Sequence, residues 1–158
     1  MAQASRGPGI PFPPPVVFVA GFLLGWWLDT RLEFTIDGQG AGTVQTVAGL
    51  AGLAAGLGLM FWGVGTFIMA RTPVLPTRAA RTLVMHGPYR YSRNPMYLGM
   101  ACAYVGLSAL LNQAWPLLLL PLVLLTLQVA VIGREERHLR AAFGAQYDEY
   151  CRQVRRWV

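Results

Sequence analysis

The sequence lacks lysine entirely and has few charged residues of either sign. All thirteen basic residues of the 158-residue chain are arginines, which we attribute to codon bias, and charged residues make up only 13% of the chain. Soluble domains carry about 25% charged residues. Hydrophobic residues make up 54%, and the mean hydropathy is +0.43. This composition favours a membrane protein over a soluble domain.

The chain is also poor in cysteine. Cys102 lies in an apolar stretch and Cys151 in a charged tail, so a disulfide framework is excluded. Cys151 is too far from the end to form a prenylation motif. The fingerprint G-x-G-x-x-G is absent as well, which excludes the common dinucleotide-binding architecture of soluble enzymes.

Four apolar blocks are long enough, or nearly long enough, to cross a bilayer, which takes about 20 residues. They cover residues 10–28, 43–70, 96–111 and 115–132. Only three residues separate the last two blocks, which predicts an antiparallel helical hairpin. We therefore predict an all-α integral membrane bundle with four transmembrane helices, followed by a C-terminal amphipathic helix over residues 133–158, all in a single domain.

The C-terminal helix is predicted from its apolar stripe. Leu139, Phe143, Tyr147, Tyr150 and Val154 recur at intervals of four, four, three and four residues. This spacing is typical of a helix with one apolar face. Such a helix lies along a membrane surface or packs beneath a bundle.

Small residues are concentrated in the first two blocks. Gly52 and Gly56 form a GxxxG motif in the second block, and Gly21 and Gly25 form another in the first. In transmembrane helices this motif permits close helix packing. We therefore interpret these glycines as structural.

The arginines are distributed unevenly between the connecting segments. The segment between the first two blocks carries one arginine beside three acids, and the turn between the last two blocks carries no charge. The other segments are basic, as cytoplasmic segments are. We predict a multi-pass protein of the cell inner membrane with both termini and a loop over residues 71–95 in the cytoplasm. The prediction rests on Arg6, Arg71, Arg78, Arg81, Arg90, Arg93 and the six arginines from Arg134 to Arg156.

Two alternatives to this interpretation can be weighed from the sequence. The first block follows Arg6 and could be a signal peptide, but it has no small-residue cleavage site, so we expect a retained anchor.

The net charge of +6 could attract nucleic acid. In a membrane protein the same excess more often faces anionic lipid headgroups. We expect the partners to be the bilayer and a lipophilic substrate, with no nucleic acid; the sequence does not indicate the oligomeric state.

The most polar and most aromatic segment is "HGPYRYSRNPMYLG", residues 86–99. Asn94 followed by Pro95 is typical of a helix start, with Asn94 as N-cap. A helix N-terminus favours a carboxylate or phosphate, and Arg90 and Arg93 would add charged donors. Interfacial anchoring by tyrosine and arginine is the alternative, and it suffices for each residue taken alone.

A second polar cluster follows the fourth block. Glu135 and Glu136 lie near the cytoplasmic end of a helix, where acids oppose the helix dipole. A solvated charge cluster would explain them. Glu135-x-x-His138 also has the spacing of a di-iron helix, but no second copy occurs, so we expect no metal site.

Taken together, these residues resemble the isoprenylcysteine carboxyl methyltransferase and phospholipid methyltransferase superfamily of integral membrane enzymes. The resemblance lies in "GPYRYSRNPMYLG", the hydrophobic hairpin, the paired glutamates and the pattern "L…FG..Y..Y…V.R", over about residues 72–156. Asn94 stands where the eukaryotic prenylcysteine enzymes have histidine; the bacterial branch commonly has asparagine.

The resemblance implies S-adenosylmethionine as methyl donor, with S-adenosylhomocysteine as product, bound on the cytoplasmic side. It implies His86, Arg93 and Glu136 as catalytic residues. The implied donor-binding residues are His86, Gly87, Pro88, Tyr89, Arg93, Asn94, Pro95, Tyr97, Gly99, Glu135 and Glu136.

Methyl transfer to a lipophilic acceptor is therefore the expected function, in the manner of isoprenylcysteine carboxyl methyltransferases. N-methylation of a phospholipid amine and S-methylation of a small thiol are alternatives; these two acceptors must lose a proton, for which His86 or a glutamate is the candidate base. A transporter is disfavoured because no charged residue lies within the four blocks. A non-catalytic membrane scaffold is the alternative from another class.

Overall fold

The computed structural model describes residues 9–10, 12–38, 40–74 and 82–158, and this part of the chain forms five helices and no strand. The predicted all-α class is therefore confirmed for the described residues. Arg6, Arg78 and Arg81, which contributed to the predicted orientation, lie outside them. The helices are α1 (Pro14–Asp29), α2 (Thr43–Met69), α3 (Pro95–Leu110), α4 (Ala114–Phe143) and α5 (Ala145–Gln153).

Two of these helices, not four, are long and apolar enough to span a membrane. They are α2, with 27 residues, and α4, with 30. The helices α1 and α3 have 16 residues each, about 24 Å against a hydrocarbon layer of about 30 Å. The expectation of four full-length spans is thus corrected. Pro13 and Pro14 keep residues 12 and 13 out of α1, since each proline disfavours helical geometry in the residue before it.

The predicted C-terminal helix over residues 133–158 is also corrected. Its first eleven residues, Gly133–Phe143, continue α4 beyond a π-helical turn at Gln128–Ile132. The chain then turns at Gly144, whose φ of +50° is unfavourable for residues with a side chain. After α5, residues 154–158 are not helical. The polar end of α4 therefore follows its apolar part without a break in the helix.

The helices α2 and α3 pack closely because glycines line their contact. A Cβ atom added at Gly99 would lie 2.6 Å from the Gly56 carbonyl oxygen. One added at Gly106 would lie 2.4 Å from the Leu53 nitrogen. Side chains at these positions would force the backbones apart, as the small-residue pattern predicted.

The helix α1 packs against α4, and α3 joins the two pairs. Phe18, Tyr104 and Val123 meet in the buried core of α1, α3 and α4, which Leu127 extends. Much of the outer surface is apolar, and only 17% of the apolar window of α2 is buried. A core helix of a soluble protein would be mostly buried, so this exposure is that of a membrane helix.

The two ends of the bundle differ in character. At one end the connection between α1 and α2 meets the short turn between α3 and α4, where the Asn112 side chain accepts a hydrogen bond from the Asp37 N–H at 2.9 Å. At the opposite end lie the beginning of α3, the polar end of α4 and α5. The hairpin of α3 and α4 therefore brings the two polar sequence clusters to one end.

Candidate active site at the polar end of the bundle

A cavity lies between the start of α3, the polar end of α4 and α5. A 3₁₀ turn at Gly87–Arg90 and the residues around Val74 and Val84 close its other sides. Seven of the residues singled out from the sequence line it: Tyr89, Arg93, Asn94, Pro95, Tyr97, Glu135 and Glu136. Residues more than 35 positions apart thus share one cavity.

Tyr97 and Glu135 connect the two sequence clusters directly. The Tyr97 hydroxyl donates a hydrogen bond to Oε2 of Glu135 at 2.9 Å. Tyr97 lies in the first turn of α3 and is only 4% exposed. Among the described residues, no basic side chain forms an ion pair with Glu135. Within this part of the chain, its carboxyl group therefore has no cationic partner at the cavity wall.

Glu136, in contrast, is held between two arginines. Arg156 donates to both of its carboxylate oxygens, at 2.8 and 2.7 Å, and Nη1 of Arg93 lies 3.4 Å from Oε1. The side chains of Glu136 and Arg93 are 13% and 14% exposed. A carboxylate already neutralised in this way has little capacity for a further cation. Its geometry indicates that it positions Arg93.

The C-terminal segment fastens the loop before α3. The Arg93 N–H donates to the Arg155 carbonyl at 3.0 Å. The Ser92 hydroxyl and the Asn94 side-chain amide both donate to the Arg156 carbonyl, each at 3.2 Å. Asn94 occupies the predicted N-cap position and Pro95 the first helical position, but the Asn94 side chain does not cap the helix. It binds the C-terminal segment instead.

Three polar atoms at the cavity are buried without a hydrogen-bond partner in the described part of the chain. They are the Tyr89 hydroxyl, Nε of Arg93 and Nε2 of His138. Buried polar groups are nearly always paired in folded proteins. Three such atoms around one cavity can therefore bind a polar ligand or ordered water.

Tyr89 is the most deeply buried of the three residues, at 5% exposed. Its ring packs on Phe67, with ring centroids 5.0 Å apart, and its carbonyl accepts a hydrogen bond from the Tyr150 hydroxyl at 2.6 Å. Burial, and next the negative charge of Glu135, raise the pKa of Tyr89 well above its usual value. The hydroxyl is therefore protonated at physiological pH and available as a donor.

Burial is also the main reason why the pKa values of Tyr147 and Tyr150 are raised. These two tyrosines of α5 belong to the apolar stripe of the predicted C-terminal helix. Both line the cavity. The stripe thus covers the site and does not lie along a membrane surface.

Four of the residues expected at the site do not line the cavity. His86 is exposed and lies just outside it. Gly87 has a φ of +61° and packs on Thr66, so its role is to form the turn. Pro88 is buried within the 3₁₀ turn, and Gly99 contacts α2. The close contact of Gly99 with α2 leaves no room for a side chain at this position.

His138 is the residue of the cavity to which sequence reasoning gave no role. In the sequence, His138 stands out only as part of the Glu135-x-x-His138 spacing of a metal site. It lies three residues after Glu135 and hence on the same helix face. An apolar wall, for which the sequence gave no signal, completes the cavity: Phe67, Val74, Leu83, Val84, Met96 and Leu139.

The fold and the cavity together define the class: a helical membrane protein with a polar site where its apolar helices end. Within that class, the family model for phospholipid methyltransferases matches residues 44–146, more than half of the chain, and the chain belongs to this family. The family lies in the integral membrane methyltransferase superfamily, so the resemblance seen in the sequence is confirmed. Neither curated proteins nor solved structures give a match.

Membership of this family suggests a membrane methyltransferase activity and leaves the acceptor open. The match begins in α2 and extends past Glu135 and Glu136 into α5. It thus includes both polar clusters of the cavity, whereas α1 and the C-terminal segment lie outside it.

Proposed function

We propose that this protein transfers a methyl group from S-adenosylmethionine to a lipophilic acceptor at the cytoplasmic face of the inner membrane. The observation that carries the proposal is the uncompensated carboxylate of Glu135, held by Tyr97 at the wall of a partly apolar cavity. The donor supplies a methyl group on a positively charged sulfur. It also carries an ammonium, a carboxylate and ribose hydroxyls, and each group requires a complementary partner.

The cationic part of the donor would be bound by Glu135. A buried carboxylate without a cation is costly, and a bound sulfonium or ammonium would relieve that cost. Glu136 is unsuited to this role because Arg93 and Arg156 already neutralise it. We therefore assign donor binding to Glu135 and a positioning role to Glu136, in place of the catalytic role expected from the resemblance.

The anionic part of the donor would be bound by Arg93 and Tyr89. Nε of Arg93 and the Tyr89 hydroxyl are both unpaired, and both carry a proton that they can donate. A charge-assisted hydrogen bond from a guanidinium to a carboxylate is among the stronger ones. The buried atoms of this cavity thus fit the donor without any rearrangement of the ion pairs around Glu136.

The apolar wall would receive the acceptor. Val74, Leu83 and Val84 come from the segment after α2, whereas Met96 and Leu139 come from α3 and α4. A lipophilic acceptor in contact with this wall would present its reactive group to the polar side. Alignment of two bound reactants accounts for much of the rate of such a displacement, and exclusion of water prevents side reactions.

We further propose that all four apolar helices lie in the bilayer, with the shorter α1 and α3 alongside the full-length α4 and α2. The apolar part of α4 ends at Ile132, so the cavity would lie at the membrane surface. Both termini would be cytoplasmic, where the arginines of the polar end face anionic headgroups.

The proposal is tested by donor binding. Purified protein in detergent should bind S-adenosylmethionine in a calorimetric titration, and Glu135→Gln should weaken that binding at least tenfold. Glutamine preserves the size of the side chain and can still accept the bond from Tyr97, so only the charge is removed. Glu149→Gln is the matched control, because Glu149 pairs with Arg152 on the exposed side of α5 and should leave binding unchanged.

A membrane scaffold without catalytic activity is the competing interpretation. It predicts no calorimetric heat at millimolar donor and the same melting temperature with and without the donor. Either result in the wild type would overturn the proposal. If donor binds, incubation of membranes with methyl-labelled donor identifies the acceptor class by whether the label enters lipid, protein or a volatile product.

A further inference from the structure

His138 is a half-buried titratable residue of the cavity that donor binding leaves without a partner. It lies on the polar end of α4 and lines the cavity together with Glu135. Its Nε2 is buried and forms no hydrogen bond within the described residues. The chain has one other histidine, His86, which is exposed outside the cavity.

We propose that His138 is a further catalytic residue, whose Nε2 removes the proton from an acceptor that must lose one before it can be methylated. The inference rests on the proposed function and adds a role that donor binding does not need. Neutral imidazole is the side chain best suited to accept a proton near neutral pH. A carboxylate acceptor would need no such residue.

The position of His138 relative to its neighbours supports this role. Glu135, one helical turn earlier on the same face, would bind the cationic donor, so His138 lies beside the place where the methyl group is held. Leu139 follows directly and belongs to the apolar wall. The reactive end of a lipophilic acceptor resting on that wall would therefore meet the imidazole.

The charges around the cavity set the environment of His138. The elements packed around it contribute one guanidinium, two carboxylates and four phenols. The two carboxylates differ, since Glu136 is paired with arginines and Glu135 is not. These groups are Arg93, Glu135, Glu136, Tyr89, Tyr97, Tyr147 and Tyr150.

The proposed step balances as follows. An ammonium or thiol acceptor gives its proton to Nε2 of His138, which becomes an imidazolium. The lone pair left on nitrogen or sulfur forms the new bond to the methyl carbon. The bond from that carbon to the sulfonium sulfur breaks, and its electron pair remains on the sulfur of the thioether product. The imidazolium then returns its proton to water.

The first test compares His138→Gln with His86→Gln as the matched control. Neutral His138 is needed for proton removal, so wild-type turnover should rise with pH and level off once the imidazole is neutral. His138→Gln should lower kcat about a hundredfold at neutral pH and should abolish that rise. Donor affinity of this variant should match the wild type, and His86→Gln should keep the rise of turnover with pH.

The acceptors for this test are phosphatidylethanolamine in mixed micelles, 1-octanethiol and N-acetyl-S-farnesylcysteine. They present an amine, a thiol and a carboxylate, respectively. The inference is supported if the wild type methylates the amine or the thiol and if His138→Gln loses the rise of turnover with pH. Turnover of the carboxylate alone, or an unchanged pH profile in His138→Gln, overturns it while leaving the proposed function intact. Failure of the wild type to bind donor would overturn the proposed function instead.

A second readout does not depend on turnover. With ¹⁵N-labelled histidine, the wild type has only two imidazole signals, and His86→Gln assigns them. Without donor, phosphatidylethanolamine or 1-octanethiol should shift the titration midpoint of the His138 signal. Phosphatidylcholine is the control, because its quaternary nitrogen has no proton to give. A His138 signal that responds to neither probe, or equally to phosphatidylcholine, overturns the inference even if His138→Gln fails to fold.

Discussion

At the scale of single residues, adjacent glutamates have different partners. Successive residues on a helix point about 100° apart, so Glu135 faces Tyr97 whereas Glu136 faces Arg93 and Arg156. The sequence marks both as unusual acids at a helix end and cannot distinguish them. The positions of Arg93 and Arg156, both distant in the sequence, decide which carboxylate is neutralised.

A second single-residue feature, the unpaired hydroxyl of Tyr89, leads to a prediction. Tyr89→Phe removes a buried hydroxyl that has no partner in the described structure, so the melting temperature should stay the same or rise. Loss of one hydrogen bond of about 1 kcal/mol should weaken donor binding about fivefold. Differential scanning fluorimetry and calorimetric titration in detergent measure the two effects.

Tyr104→Phe is the matched control for Tyr89→Phe. The Tyr104 hydroxyl is also buried without a partner among the described residues, but its ring packs between Phe18 and Phe22, away from the cavity. Donor affinity should be unchanged in this variant. Equal weakening by both substitutions would mean that Tyr89 acts through packing alone.

At the scale of elements, the polar end of the site is built from a continuous helix and a folded-back segment. The π-helical turn at Gln128–Ile132 adds a residue to one helical turn, which sets the face on which Glu135 and His138 lie. The segment after α5 then returns to bind the loop before α3. Neither feature has a pattern in the sequence, because both depend on contacts between distant parts of the chain.

This arrangement predicts different effects for two neighbouring arginines. Arg156→Gln breaks the pair with Glu136, in which the arginine is 38% exposed and the glutamate 13%. After allowing for solvent screening, we expect a loss of about 1 kcal/mol in the free energy of unfolding. Donor binding should also weaken, since Glu136 then draws Arg93 away from the cavity.

Arg155→Gln changes the same charge and keeps the backbone carbonyl that binds Arg93. Its stability and donor affinity should equal those of the wild type. Hydrogen exchange of the peptide spanning residues 90–98 should be faster in Arg156→Gln and unchanged in Arg155→Gln. Unaltered exchange in both variants would show that the C-terminal segment does not fasten the loop.

At the scale of the whole molecule, the bundle has one acidic and one strongly basic end. Asp29 ends α1, and two further acids and one arginine lie between α1 and α2, whereas the cavity end carries most of the arginines. The structure brings the connection between α1 and α2 together with the turn between α3 and α4, so the two connecting segments that are not basic lie at the same end. The distribution of charge favours a basic end in the cytoplasm.

This orientation can be measured with single cysteines. In a background carrying Cys102→Ala and Cys151→Ser, we place one cysteine at the acidic end (Gly38→Cys) or at the basic end (Arg155→Cys). Both positions are exposed. A membrane-impermeant maleimide should label Gly38→Cys in intact spheroplasts and should label Arg155→Cys only after lysis. The reverse pattern would contradict the proposed topology.

The sequence by itself determined the helical class, the apolar blocks, the close packing by small residues and the family. Each of these follows from composition, periodicity or a local motif, which depend on neighbouring residues alone. The length of α1 was overestimated, because apolar composition does not reveal where prolines delay the start of a helix. The third block had the same 16 residues as α3, which are too few for a full span.

Only the tertiary structure decided which polar residues form the cavity. It brought together Tyr97 and Glu135, neutralised Glu136 with Arg156, left His86 outside and placed His138 within. The physical reason is that the pairing of charges and the burial of polar atoms are set by contacts between distant segments. Such contacts leave no periodic trace along the chain.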